Sequence, residues 1–478
     1  MNKLVGVGLV GLGAIALGGP YISGTQAESQ YHQAIEMINA QSGVTAVSES
    51  YEKGYLGADT ITVLKFDPTE LDDDLPQEVK FKTHFSHGIY SVNAVTHLVF
   101  DDETTAVLKE ILGEDEPVEI VADVNMLGDA TVVATTPKID YTGPESGDKI
   151  NVSEFKMTID MPSDLKKMTA NINWSGMNVS GTDGDEAEIG QFTMTQTGSQ
   201  LTDYLWVSDM EMTLDSISGS EAGQAFDLKK LKVTSVTEEG AEGRIDSGFE
   251  MTIDSVKLAE EEFKNHKLVF SLKDLAIEEF DALMGTFDKL EETSQIADPQ
   301  EQAMAQMEQF ARIGQDVTAL FNKGLKIDIS ELFVSTPKGD VNGLLHVEQP
   351  ESDGAASAGP AALLQTTKGN MSLSIPAKLL EQGGAEMQQQ LDALLAQNLI
   401  VKEGDVYKTQ ATLKEMQGSV VDVPMIINGE AVYTDNKLKM VSPHNLAQEL
   451  GTYNKGNSTH VQKAIDAAMA AKPKWEAM

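Results

Sequence analysis

Phe155-Lys156-Met157-Thr158-Ile159-Asp160-Met161 alternates apolar with polar side chains at every step. On an extended chain that alternation gives one greasy and one wet face, the mark of a strand buried on one side only. The same period recurs at Trp206, Met210, Met212 and Leu214; at Phe249, Met251 and Ile253; and at Leu268, Phe270 and Leu272. It returns at Leu325, Ile327 and Ile329, and again at Met371, Leu373 and Ile375. Parallel sheets covered by helices on both sides read instead as continuous apolar runs. The expected fold is therefore mainly β (α+β), with large antiparallel sheets, twisted or curled, and a few packing helices.

Helical spacing appears in four places. Tyr31, Ile35 and Ile38 mark a short amphipathic helix ahead of Ser42 and Gly43. Residues 275–322 read as two helices split near Asp298 and Pro299, with Phe280, Leu283, Phe287 and Leu290 on the first apolar face. A third helix is expected from Pro376 to about Gln397, and a last one near Val461 to Ala471. Further strands are expected at Leu399 to Val401 and Val423 to Ile427. Tyr141 to Lys149, Ser180 to Gly190 and Ser216 to Gln224 are polar and glycine-rich and read as loops. Glu351 to Ala362 reads as a linker. No fixed repeat period emerges.

The opening segment is of another kind. Leu4, Val5, Val7, Leu9, Val10, Leu12, Ile15 and Leu17 belong to a run without charge that continues to Ile22. As a helix it spans roughly 28 Å, close to the hydrocarbon thickness of a bilayer. Lys3 precedes it and Glu28 is the first charge after it, which leaves the remainder on the non-cytoplasmic side. One N-terminal transmembrane helix is therefore expected to precede the sheets, and a cleaved signal peptide ending near Ala27 is the alternative. Gly6, Gly8 and Gly11 fit a dinucleotide fingerprint only formally, because no strand precedes them and no amphipathic helix follows. Gly11, Ala14 and Gly18 offer a small-residue stripe for helix pairing. The expected organisation is 1–24 membrane anchor, 25–273 β-rich, 274–323 helical insertion, 324–440 β-rich with one helix, and 441–478 helical tail.

Composition narrows the partners. Among 478 residues, 75 acidic against 35 basic side chains give a formal charge of −40, and Arg244 and Arg312 are the arginines. Such a surface repels phosphate and lacks guanidinium forks, so nucleic acid is excluded as a partner. The absence of cysteine removes disulfides, thiolate metal sites and thiol nucleophiles.

Several stretches resemble the YdgA family of bacterial envelope proteins, which is built around a domain of unknown function. They are the apolar N-terminus, Ser50-Tyr51-Glu52-Lys53-Gly54-Tyr55-Leu56-Gly57-Ala58, Gly324-Leu325-Lys326-Ile327-Asp328-Ile329-Ser330, Pro337-Lys338-Gly339-Asp340 and Ile427-Asn428-Gly429-Glu430. His87 and Gly88 match the start of a His-Gly-Pro-Phe-like element of that family, whereas Ile89 and Tyr90 depart from it. The resemblance implies an inner-membrane anchor, a periplasmic body and self-association, with no established chemistry.

Chemistry-bearing motifs are sparse. His84, His87 and His97 cluster in sequence, but His84 and His87 fall on opposite faces of a strand and do not make a metal set. Asp72, Asp73 and Asp74, and Asp183, Asp185 and Glu188, lack the pattern of a calcium loop and read as solvated turns. No nucleophile elbow, phosphate loop or zinc-helix motif is present, and no cofactor is implied. Met157, Met161, Met210, Met212 and Met251 fall on apolar strand faces, as adaptable core filler or as the lining of a groove for acyl chains.

The reading is a non-enzymatic, inner-membrane-anchored periplasmic scaffold or assembly factor that self-associates and meets lipid or envelope proteins. The alternative is a lipid-handling module with an apolar groove and an AsmA-like layout; a hydrolase ranks last. A closed core between apolar faces favours the first, and an open trough favours the second.

Overall fold

In the computed structural model the described residues, a few turn positions aside, are 44–66, 78–112, 117–351 and 367–413, the strands between 425 and 454, and helical positions between Glu28 and Asn39. The anchor and pairing residues at 1–24, the Asp72–Asp74 run, most of the 351–362 linker and the helix expected near Val461 lie outside them. Among the described residues no helix is long and apolar enough to cross a membrane.

A meander opens the sheet. β1 (Val44–Lys53), β2 (Gly57–Phe66), β3 (Glu78–His87), β4 (Ser91–Val99), β5 (Glu119–Asn125) and β6 (Ala130–Thr136) pair in order, all antiparallel, with helix α1 (Asp102–Leu112) between β4 and β5. The chain then leaves through β7 (Ile139–Thr142) and β8 (Lys149–Val152), and β9 (Phe155–Met161) returns to pair with β6. β10 (Lys167–Trp174) pairs with β9 on one side and β13 (Phe192–Gln200) on the other. Between them β11 (Met177–Ser180) and β12 (Glu186–Ile189) add to β8 as a separate arm.

Long strands follow: β14 (Trp206–Glu221), β15 (Gln224–Glu239), β16 (Arg244–Leu258) and β17 (Glu261–Ala276). Next come helices α2 (Ile277–Glu292) and α3 (Pro299–Asn322), then β18 (Leu325–Thr336), β19 (Gly339–Gln349) and β20 (Lys368–Pro376). Helices α4 (Ala377–Leu380) and α5 (Gly384–Ala396) precede β21 (Val401–Glu403) and β22 (Val406–Leu413), and β23 (Met425–Ile427) and β24 (Glu430–Val432) complete a 24-stranded sheet. A final pair, β25 (Lys437–Ser442) and β26 (Asn445–Asn454), forms its own two-stranded sheet, so the expected helical tail at 441–478 is corrected over 445–454, which is strand.

The mainly β expectation therefore holds, and each alternating segment named above is a strand. The split near Asp298 is also where expected: the Asp298 side chain accepts from the amides of Gln300 and Glu301, and Pro299 occupies the first turn. The expected third helix is broken at Gly383 and Gly384 into α4, a short 3-10 turn and α5. Three loop expectations are corrected in part. Tyr141–Thr142 and Lys149 belong to β7 and β8, Glu186–Ile189 is β12, and Ser216–Glu221 continues β14. Their polar composition hid strands whose backbone pairing needs few apolar side chains.

Cross-strand register shows where the apolar face runs. One row passes through Thr60, Thr83, Thr96, Ile120, Ala134, Met157, Ile172, Met194, Met212, Val233, Met251, Leu268 and Leu332. Its first third is a closed core. Tyr31, Ile35 and Ile38, at helical positions, are buried against β1–β6, β9 and β10. The Tyr31 hydroxyl lies 2.7 Å from Thr62 Oγ1, and Thr83 and Thr96 share a 2.8 Å hydroxyl contact, so these four buried hydroxyls pair with one another, whereas Thr60 Oγ1 in the same row is buried without a hydrogen-bond partner. A second cluster joins α2 and α3 to the ends of β16–β18 through Ile245, Leu275, Leu320 and Leu325. A third joins α4 and α5 to Tyr407.

Between these clusters the face is only half-buried. Met194, Met212, Met251, Leu268 and Leu332 retain partial exposure and belong to none of the three clusters. Met157 is buried in the first cluster, with Met161 packed at its margin, while Met210 shares the half-buried stretch. On the opposite face Lys232 pairs with Glu211 and Lys267 with Glu331, both at 2.8 Å, as expected for a solvated surface.

Candidate functional site

The sheet forks at β14. Its first half, Trp206–Leu214, pairs with β13, and its second half, Ile217–Ser220, pairs with β12. The change of partner is fixed by local bonds. Gly190 donates its amide to the Ser216 carbonyl at 2.8 Å, and Asp215 donates to the Gln191 carbonyl at 2.9 Å. The neighbouring strand adapts at the same level: Lys230 takes a left-handed φ of 54°, and its ammonium donates to Asp215 Oδ1 at 2.9 Å. Gly176 sits where the arms separate, at φ +99°, and a Cβ there would lie 2.0 Å from the Ile189 carbonyl oxygen. Only glycine fits that approach.

Within the fork lies an apolar hollow of about 530 Å³, lined by Thr136, Val152, Phe155, Trp174, Ile189, Phe192, Leu214 and Ile217. That volume falls in the range of small-molecule sites. Trp174 is oriented by its indole N–H, which donates to the Ser153 carbonyl at 3.1 Å, leaving its ring for the hollow.

A second hollow of about 1140 Å³ continues along the separate arm, past Ile150, Val179, Ala187, Gly219, Phe226 and Leu258. Val152 and Ile150, Ile189 and Ala187, and Ile217 and Gly219 are each two apart on one strand, so both hollows lie on one face. The register confirms a continuous row: Ile139, Val152, Met177, Ile189, Ile217, Leu228, Val256 and Phe263 are successive cross-strand partners. Asp148, Asp185 and Glu186 stand at the far mouth. The Asp148 carboxyl is held below its usual range by hydrogen bonds from Ser146 and the Thr182 amide.

The site offers apolar contact along its length and carboxylates at one end. Of the residues singled out for chemistry, Asp185 stands at the far mouth, and the histidines lie elsewhere. His84 lies on β3 with Nδ1 2.8 Å from Asp59 Oδ1, and His87 closes the same strand. Gly88 follows with its amide donating to the Ser91 carbonyl at 2.8 Å, so His87 ends β3 and Gly88 opens its connection to β4. Among the described residues no group of three or more histidine and carboxylate side chains is close enough to hold a metal ion. Of the methionines, Met212 and Met251 border the open face, whereas the aromatic fork residues Trp174 and Phe192 were not anticipated. Their signal was short: Trp174 ends the alternation Ala170, Ile172, Trp174, and Phe192 opens the pair Phe192, Met194, each beside a glycine-bearing turn.

Comparison with known proteins gives one match of long coverage. The family described as bacterial protein of unknown function (DUF945) matches residues 1–427. Short stretches resemble dehydrogenases. The delta-1-pyrroline-5-carboxylate dehydrogenase of Agaricus bisporus is 44% identical over 70 residues, 14% of this chain and 13% of that protein. The 1-pyrroline-5-carboxylate dehydrogenase of Oceanobacillus iheyensis is 36% identical over 78 residues, 16% of this chain and 15% of its own. The mitochondrial enzyme of Homo sapiens is 30% identical over 67 residues, 14% and 12% of the two chains. The chain thus spans only a small fraction of these relatives' length. No solved structure matches.

Proposed function

The chain belongs to the DUF945 family of bacterial proteins of unknown function, and we propose that it is a non-enzymatic lipid-handling protein of the cell envelope, of the YdgA type. In this reading the run from Leu4 to Leu17 holds the chain in the inner membrane, the sheet lies on the periplasmic side, and acyl chains rest along its open apolar face. The observation behind it is the forked hollow and the half-buried rows that continue from it. A closed scaffold has no need of a greasy trough left open to water, because exposing that area forgoes roughly 25 cal/mol per Å².

The carboxylates at the far mouth favour a zwitterionic or ammonium-bearing headgroup over an anionic one. Dehydrogenase activity is not part of the proposal: the short similarity covers 12–15% of those enzymes. Self-association remains as the competing use of the same face, with a second copy in place of lipid.

The test compares full-length protein with Ile217→Asp, purified in one detergent and analysed for bound lipid by mass spectrometry. Lipid around the membrane segment is common to both. A lower lipid content in the variant, with an unchanged circular dichroism spectrum, is the expected result; equal content overturns the reading.

A further inference from the structure

The side chains left most exposed by the fold are not scattered. Among the described residues the large apolar side chains that are 58% or more exposed are Tyr55 and Leu56, Met126 and Leu127, and Met304, Met307 and Phe310. Register places them all at one edge of the sheet. The β1–β2 turn follows Lys53, the partner of Ala58; Gly57 pairs with Ser86, His87 with Val92, and Ser91 with Asn125, which begins the β5–β6 turn. The α2–α3 pair follows β17 at that same edge, since Gln200 pairs with Trp206, Glu239 with Ile245 and Arg244 with Ala276. At the opposite edge the most exposed, Leu258 and Val107, reach 51% and 50%.

Neighbouring strands turn by about 20° each, so an edge this long winds and cannot meet one flat surface throughout. The two hairpin tips are about four strands apart, roughly 20 Å, and can meet one surface together. The chain also enters the fold beside them: Tyr31 packs against Tyr51, two residues from the end of β1, at 5.4 Å between ring centroids. Asn39, further along, is bonded to Ala46 near the other edge. The first described helical positions, Glu28 and Tyr31, therefore lie on the side of the tips.

Both tips are tied by local hydrogen bonds. The Gly54 amide donates to the Gly57 carbonyl at 2.8 Å, and a Cβ on Gly57 would lie 2.2 Å from the Phe85 carbonyl oxygen. In the other tip Asn125 Oδ1 accepts from the amides of Leu127 and Asp129 at 2.8 and 3.1 Å. Tyr55 is 98% exposed, so no described part of the fold covers it. Hydrogen-bonded turns that leave Tyr-Leu and Met-Leu pairs exposed suit the boundary between headgroups and acyl chains, where aromatic and apolar tips settle.

We infer that the β1–β2 and β5–β6 tips dip into the surface of a lipid bilayer, fixing the body against the membrane that receives the N-terminal segment. The inference needs the proposed membrane span at Leu4–Leu17 but not the lipid trough. Strong negative charge makes a zwitterionic bilayer the partner rather than an anionic one.

Because the chain has no cysteine, single-cysteine variants take one label each. Full-length Leu56→Cys, Leu127→Cys, Val107→Cys and Ile15→Cys, labelled with a polarity-sensitive fluorophore, are reconstituted in phosphatidylcholine vesicles. The expected result is a blue-shifted emission and loss of quenching by aqueous iodide at 15, 56 and 127, with 107 quenched as in detergent. Protection at 15 with wet labels at 56 and 127 overturns the inference while leaving the span intact; wet labels at all of these positions overturn both. Protection at 56 and 127 that persists in detergent and grows with protein concentration marks a second copy, and also overturns it.

Discussion

Lengthening a bound alkyl chain should tighten its binding by an amount set by how far the trough encloses it. A fully buried methylene contributes about 0.8 kcal/mol. The fork residues Phe155, Trp174, Phe192, Leu214 and Ile217 are half-buried, so a chain laid over them is covered on one side only. Taking half the full value, about four extra methylenes contribute ~1.6 kcal/mol, a ~15-fold gain in affinity. Zwitterionic single-chain lipids of increasing length, used below the concentration at which they self-associate, would displace a fluorescent fatty-acid probe from the full-length protein. The expected plot of log affinity against chain length is a straight line that flattens once the chain exceeds the trough, with a negative heat-capacity change on binding. A flat plot, or an equal slope in Ile217→Asp, refutes the reasoning, because either result places the alkyl chain elsewhere.

Further outcomes follow from the packing. Tyr31→Phe leaves the Thr62 hydroxyl buried without its partner and should cost about 1–2 kcal/mol in urea unfolding, whereas Tyr31→Phe with Thr62→Val should recover most of that loss. Gly176→Ala forces a Cβ against the Ile189 carbonyl at a left-handed φ and should lower stability by about 1–3 kcal/mol in thermal denaturation. The Tyr204 hydroxyl donates to Asp288 Oδ2 at 2.5 Å, and that bond pushes its pKa up to about 12. Since the folded value is raised, the contribution is fully present below the unfolded value near 10 and fades as pH rises through about 12. Ultraviolet titration should show this tyrosine ionising last, and Asp288→Asn should bring it down. The Lys402 hydrogen bond and charge hold the Glu381 carboxyl below its usual range. This stabilisation is present above the unfolded pKa and lost as pH falls through the depressed one, so Lys402→Met should flatten the acid limb of the stability curve.

The sequence revealed elements where side chains repeat with the period of the backbone. Phe155–Met161 and Leu325–Ile329 alternate cleanly because one face meets apolar neighbours and the other meets water. Asp298-Pro299 announced a helix start because the cap and the missing amide act within one turn. What stayed hidden depends on contacts between distant residues. The pairing of β6 with β9 skips two strands, and β14 changes partner at Asp215, where Ser216, Ser218 and Ser220 break the apolar alternation. The polar run was therefore read as a loop, although its backbone is paired to β12 and β15. The fork hollow inherits that difficulty: its lining comes from β6, β8, β9, β10, β12, β13 and β14, and no local pattern brings Trp174 beside Ile217. The five methionines were legible as apolar-face residues, but which of them are covered depended on where the helices pack.

Photochemical labelling tests the lipid trough most directly. A fatty acid bearing a diazirine near its methyl end, irradiated with the full-length protein, reports which side chains touch the alkyl chain. Adducts are expected on the peptides containing Phe155, Trp174, Phe192, Leu214 and Ile217 and should be lost on competition with unlabelled zwitterionic lipid. Adducts confined to the opposite face, near Lys232 and Glu211, or to the N-terminal segment, would contradict the account.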